Sequence, residues 1–222
     1  MRFVITALTL CVGCDQLFQI DPDHLKHHDA PSTCQPSAPQ DDFMSSMQTC
    51  SWGNLQPGSE TITAGNGELE IAVTEKSFGS CTTNDNLNLT LPVNTTGFFI
   101  YVKQTLNTGK GYTTFKVIAE NTGDLSMAFT AANQYLGYYD VNNLQLGRID
   151  GTGDGQYWRF VVTDAGVVGQ VSPTFSPNFD DWTTLGIAKG NLGPVRVQFG
   201  AGSTDAFSEG TAVFQHFNTC PY

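Results

Sequence analysis

Basic side chains are scarce in this chain: ten Lys and Arg stand against 21 Asp and Glu, for a net charge of −11. So acidic a chain is repelled by nucleic acid and by anionic headgroups, which makes both poor partners and leaves solubility as the plain reading of the charge. Charged residues make up only 14% of the 222 positions, too few to coat amphipathic helices. Histidine is nearly missing from the body of the chain, where His216 stands alone, and no Gly-x-Ser-x-Gly elbow occurs, so a nucleophilic triad has no parts to draw on. No apolar run approaches the roughly 20 residues of a membrane helix. No glycine-rich phosphate loop leads into a helix. After residue 14, no two cysteines have the close spacing of a zinc site.

What is present begins with a leader. Met1 to Cys14 carries one basic residue, Arg2, and then a short apolar run ending in small residues, the pattern of a signal peptide. Leu10-Cys11-Val12-Gly13-Cys14 resembles a bacterial lipobox, with Cys11 where an aliphatic residue is usual. The resemblance implies cleavage after residue 13 and acylation of Cys14. Acyl chains contribute about 0.8 kcal/mol per buried CH₂, so several on one cysteine anchor stably. The expected organisation is a signal peptide over 1–13, a lipid-anchored tether over 14–40 and one domain over 41–222. The tether holds Pro22, Pro31, Pro36 and Pro39 and lacks apolar periodicity. His24 and His28 lie four apart within it, but a polar spacer offers nothing to orient the rings, and the spacer reading is preferred. The expected location is outside the cytoplasm, with the anchor in the outer membrane or at the cell surface rather than the inner membrane.

From residue 41 the pattern is strand after strand. Leu69, Ile71 and Val73 alternate with Glu68, Glu70 and Ala72; Phe115, Val117 and Ala119 with Lys116 and Ile118; Val195, Val197 and Phe199 with Arg196 and Gln198. Period two buries one face and wets the other, the mark of antiparallel sheet. Gly65-Asn66-Gly67, Asn121-Thr122-Gly123 and Asp164-Ala165-Gly166 punctuate the runs. Ser126–Tyr139 is the one stretch open to a helical reading, and its aromatic and Gly content favours strand. More than ten runs imply an all-β, two-sheet antiparallel sandwich. Four body cysteines in an exported chain imply two disulfides with three possible connectivities. On sandwich topology we expect Cys34–Cys220, joining start to end, and Cys50–Cys81.

Asp41-Asp42-Phe43, then Trp52, then Gly65-Asn66-Gly67 and its alternating strand resemble the opening of a concanavalin A-like lectin/glucanase jelly roll. Gln156–Phe160 and Val167–Val171 look like the hairpin before that family's Trp-Thr-Thr-Leu segment, here Trp182 to Leu185. Val195–Gly202 and Gly210–Phe214 supply its closing strands, so the likeness spans residues 41–219. It implies the jelly-roll fold. It also raises glycoside hydrolysis, since laminarinase-type relatives carry a Glu-x-Asp-x-x-Glu strand. The nearest match starts at Glu68 and puts Val73 in the third carboxylate position; starting at Glu70 supplies Glu75 but puts Ala72 in the middle. Retention needs two carboxyls about 5–5.5 Å apart, so neither frame serves, and Glu68 and Glu70 read as the wet side of a strand.

The expectation is therefore a binding module without catalytic residues. Exposed aromatics flanked by amides stack on sugars. The candidates are Tyr135, Tyr138 and Tyr139 with Asn133, Asn142 and Asn143 nearby; Trp52 and Trp182 are further candidates, Trp182 being read rather as packed. Asp150 and Asp154 mimic the start of a calcium loop, but Val161 takes the place of the required Glu, so a plain hairpin turn and no cofactor are expected. A polysaccharide or other glycan is the expected ligand. The alternative is a structural or adhesive envelope lipoprotein contacting protein. Cys14→Ser should abolish lipid labelling and release the protein from the membrane fraction; a variant still membrane-bound and normally processed would overturn the anchor.

Overall fold

The structure, a computed structural model, describes residues 34, 40, 43, 53–55, 61–74, 76–83, 89–91, 97–107, 109–120, 125–189, 192–205 and 208–220. Cys14, Cys50, Trp52, Glu75, the tether histidines and the leader lie outside them. Among the described residues there are fifteen strands and no helix. In chain order they are β1 Gly53–Leu55, β2 Thr61–Gly65, β3 Glu68–Val73, β4 Phe78–Thr83, β5 Leu89–Thr90, β6 Phe98–Gln104, β7 Gly111–Ala119 and β8 Ser126–Ala132. There follow β9 Tyr135–Tyr139, β10 Gln145–Asp150, β11 Gln156–Thr163, β12 Gly166–Ser172, β13 Thr183–Ala188, β14 Pro194–Ser203 and β15 Gly210–Gln215.

They form two antiparallel sheets. The front sheet has the order β1-β4-β14-β7-β8-β9-β10, with β5 beside β14; the back sheet runs β13-β12-β11-β6-β15-β3-β2. The alternation read from the sequence decides which side chains lie between them. Val195, Val197, Phe199 and Ala201 of β14 and Phe115, Val117 and Ala119 of β7 point inward from the front sheet. Leu69, Ile71 and Val73 of β3 and Trp158 and Phe160 of β11 point inward from the back sheet. The rings interlock: Phe115 lies 4.8 Å from Phe160 across the gap and 5.4 Å from Phe199 beside it. Ser126–Tyr139 is a strand hairpin, turned by Asn133 and Gln134 at φ 51° and 62°, the left-handed pair a two-residue hairpin needs.

Two connections shape the flanks. Residues 151–155 join β10 of the front sheet to β11 of the back sheet, so this segment is a crossover, not the hairpin turn expected before Tyr157. Gly153 and Gly155 take positive φ there, and Trp158 Nε1 donates to the Gly153 carbonyl at 3.3 Å. On the same flank β10 packs on β13. A Cβ on Gly147 would stand 1.7 Å from the Leu185 oxygen, so only glycine lets these edges meet.

The outer side of the back sheet is covered over β6, β11 and β12 and stays open at β2 and β3. Phe99, Tyr157 and Trp182 form a second buried cluster, with Tyr101, Phe175 and Cys34 against it. The loop at 173–182 is held down by Trp182 Nε1, which donates to the Ser176 carbonyl at 2.8 Å. Beneath it Arg159 is buried, its guanidinium 3.9 Å from the centre of the Trp182 ring and donating to Gln170 Oε1 at 2.9 Å. Burial pushes that guanidinium below its ordinary value, while the charge of Asp181 acts the other way. Asn218, also buried, uses its side chain as a strand would, accepting from Phe99 N at 2.9 Å. Cys34 is bonded to Cys220 with Cα atoms 6.0 Å apart, across a separation of 186 residues. Cys81 is also disulfide-bonded. The bridge fastens the chain at residue 34, inside the stretch read as tether. Closing so long a loop contributes about 5 kcal/mol in the chain-entropy model. Replacing Cys34 and Cys220 together by Ser should therefore lower stability by about 2–5 kcal/mol in denaturant titrations, and an unchanged midpoint would contradict that role.

Candidate functional site

The outer side of the front sheet is built differently. Registers place its outward side chains in rows. One row runs Thr82, Gln198, Lys116, Ala128, Tyr139, Gln145; the next Ser80, Gly200, Thr114, Thr130, Gly137, Arg148; the third Phe78, Gly202, Tyr112, Ala132, Tyr135, Asp150. The floor is thus made of glycine, alanine and hydroxyl residues, with aromatic rings rising at both sides.

Those rings lie along the sheet instead of standing off it, and glycines make the room. A Cβ on Gly200 would fall 2.6 Å from Phe78 Cζ, one on Gly202 2.7 Å from the Tyr112 hydroxyl, and one on Gly137 2.8 Å from Tyr139 Cε2. Phe78 and Tyr112 are near parallel, 15° apart with centres at 6.0 Å. Tyr135 and Tyr139 share one side of β9, their hydroxyls 3.4 Å apart, and Tyr139 donates on to Gln145 Oε1 at 3.3 Å. Arg148 sits 5.4 Å over the Tyr135 ring. All four rings are half-buried, leaving part of each in contact with solvent. From β7 to β9 is two strand spacings, roughly 10 Å.

Between the rings lie polar groups. Gln198 Nε2 donates to Thr82 Oγ1 at 2.9 Å and to Ser80 Oγ at 3.4 Å. Lys116 is half-buried, its ammonium 5.8 Å from the centre of the Phe78 ring. Burial lowers the Lys116 pKa and raises that of Tyr112. The Tyr139 phenol is pushed up to about 12, by burial first and then by its hydrogen bond with Tyr135. Among the described strand residues of this face, Asp150 at the β10 edge is the only carboxylate, and Arg148 lies 3.9 Å from it.

The expected site residues separate. Tyr135 and Tyr139 lie on the face. Tyr138 does not, which corrects the expectation that it serves as a platform: it is 0% exposed, packed on Phe129 at 5.3 Å, with its hydroxyl donating to the Val167 carbonyl at 3.0 Å. Its strand parity turns it into the core, where that carbonyl satisfies the one polar atom, and burial raises its pKa. Asn133 and Asn143 are exposed turn residues at opposite ends of β9, both at positive φ, so they do not share a site. Asp140 organises the second turn, accepting from the backbone N–H groups of Leu144 and Asn142, which hold its carboxyl below the usual range.

The remaining candidates have structural posts. Asp154 Oδ1 accepts from Thr105 N at 2.5 Å and Thr105 Oγ1 at 2.7 Å, fastening the crossover. Among the described residues no three His, Cys, Asp or Glu side chains converge as a metal set. Glu68 pairs with Lys103 and accepts from Gln215 Nε2 at 2.8 Å on the outer side of the back sheet, and Glu70 is exposed there. Trp182 is packed, as read. A cavity of about 630 Å³ opens at one end of the sandwich, among Leu91, Val162, Val167, Leu192 and Pro194, without aromatic rings in its wall. Sequence reasoning missed Phe78, Tyr112, Thr114, Lys116 and Gln198; the polar half of the 111–119 alternation was the available signal.

No family model and no curated protein match the chain. Solved structures do. The laminarinase from Rhodothermus marinus superposes with a TM-score of 0.53 at 9% identity, covering 80% of this chain and 95% of that one. The carbohydrate recognition domain of Emp46p, in its potassium-bound form, gives 0.50 at 11% identity, covering 80% and 94%. At such identities the likeness establishes the fold: a concanavalin A-like jelly roll.

The split of β9 between face and core is open to test. Tyr138→Ala should cost about 3–5 kcal/mol of stability, and Tyr139→Ala about 1 kcal/mol or less, in paired denaturation curves. Equal losses would refute the assigned parity.

Proposed function

We propose that this chain is an exported lipoprotein, anchored through Cys14, whose sandwich binds carbohydrate on the outer side of the front sheet without cleaving it. The observation that carries the reading is the set of rings laid over Gly137, Gly200 and Gly202 with hydroxyls and an amide between them. Flat, half-exposed rings match the apolar faces of sugar rings, and fixed polar groups between them match hydroxyls. Fold-level likeness to a laminarinase and to a carbohydrate recognition domain supports the same class of ligand. The non-catalytic part is supported by the face itself. Hydrolysis with retention requires two carboxyls about 5–5.5 Å apart, and the described outward positions of β4, β14, β7, β8 and β9 hold none.

Cys34 lies against the back sheet, on the side of the sandwich away from the ring-bearing face. The protein-contacting alternative has less behind it on the β10 and β13 flank, where these two edge strands close on each other.

On a glycan array, the purified full chain should bind a polysaccharide class. Tyr112→Ala and Tyr139→Ala should each weaken that binding about tenfold, roughly 1–2 kcal/mol, with little change in melting. Binding unaffected by both variants would contradict the site, and cleavage of a β-glucan by the purified protein would contradict the non-catalytic reading.

A further inference from the structure

Resting on the carbohydrate reading, we propose further that the ligand is a polyuronate, a glycan carrying carboxylates, and that Lys116 is its counter-ion. Lys116 stands near the middle of the front face, with Gln198 and Thr82 to one side in its row and Ala128 and Tyr139 to the other. None of these is acidic, and among the described residues no carboxylate comes within ion-pairing distance of its ammonium. Its described contact is the Phe78 ring. In a chain with a net charge of −11, a half-buried lysine without an acidic neighbour is a conspicuous exception.

The other charges of the face do not supply the missing anion. Asp150 lies across the sheet on β10, beside Arg148. Glu120 lies beyond the end of β7, four residues along from Lys116, roughly 13 Å by strand rise. Arg196, on the neighbouring strand, is a further cation.

A second unmet group lies at the same spot. Thr114, next to Lys116 on the outward side of β7, is 2% exposed, and its hydroxyl is buried with no hydrogen-bond partner. That oxygen lies 3.0 Å from where a Gly200 Cβ would be, and Phe78 Cζ lies 2.6 Å from the same point. The ammonium and the hydroxyl therefore gather round one aromatic ring. Both are donors, and a donor left without an acceptor in a half-buried site destabilises the free protein. A neutral sugar hydroxyl would leave the charge uncompensated. A carboxylate beside the ring face neutralises the ammonium and accepts its hydrogen bonds, and charge-assisted bonds of this kind are about twice as strong as neutral ones.

The test uses the purified full chain with polygalacturonate and alginate, each native and carboxyl-reduced, so that members of a pair share a backbone and differ in charge. A neutral β-glucan is included, and affinities are read by calorimetry. The native form of at least one pair should bind about tenfold or more tighter than its reduced form. Lys116→Met should erase that difference, the native form then binding no tighter than its reduced partner. Lys116→Arg should restore part of it. Removing a half-buried charge should leave melting unchanged or raised, and Lys116→Gln gives the same reading should the Met variant misfold. Equal binding of native and reduced forms would overturn this inference and leave glycan binding intact. A preference for native forms that survives in Lys116→Met would overturn the role of Lys116. Failure of every glycan, neutral ones included, would overturn the carbohydrate reading together with this one.

Discussion

No side chain fits on the outward side of β14 at positions 200 and 202, because Phe78 and Tyr112 already fill that space. The neighbouring positions are no freer: Phe199 and Ala201 point inward and are fully buried in the core. The central strand of the front sheet is thus constrained from both sides, by interlocked phenylalanines within and by flat-lying rings without. Any Cβ at Gly200 would lift the Phe78 ring and disturb Thr114 and Lys116 with it. The architecture of the face follows from two missing side chains as much as from the residues present.

The two outer surfaces of the sandwich are consequently unlike. Behind, a loop, a buried arginine stacked on Trp182 and the Cys34–Cys220 bridge cover the sheet over β6, β11 and β12. The buried polar groups beneath that loop have partners: Arg159 has Gln170, and Gln170 in turn donates to Thr184 and to the Phe179 carbonyl. In front, the rings stay half-exposed, and a lysine and a threonine hydroxyl await acceptors. A satisfied network rigidifies, and unsatisfied donors are poised for a ligand. That contrast, more than the fold, is why the functional reading rests on the front sheet. The fold alone hosts several activities.

Much of this was legible beforehand, and the reason is local. Leu69, Ile71 and Val73, or Phe115, Val117 and Ala119, announce their buried side within five residues, because the strand period is two. The same rule separated Tyr138 from Tyr135 and Tyr139, but the polar neighbours of that segment concealed which parity faced water. The crossover at 151–155 was mistaken for a hairpin turn because its glycines would suit either; whether the next strand joins the same sheet is not a local property. The face itself was out of reach for a related reason. Ser80 meets Gln198 across 118 residues of chain, and Phe78 meets Tyr112 through a strand that comes last but one. Such a site exists only once the strand order does, and alternation does not determine strand order.

The central claim is that carbohydrate binds across the outer side of the front sheet, and amide shift mapping examines it most directly. Isotope-labelled protein would be titrated with the oligosaccharide that binds best, following every assigned backbone amide. The account predicts perturbations concentrated on β4, β14, β7 and β9, around Phe78, Gly200, Lys116 and Tyr139, with the back sheet silent. Shifts gathered instead around Arg159 and Trp182, or at the cavity between Leu91 and Leu192, would contradict it.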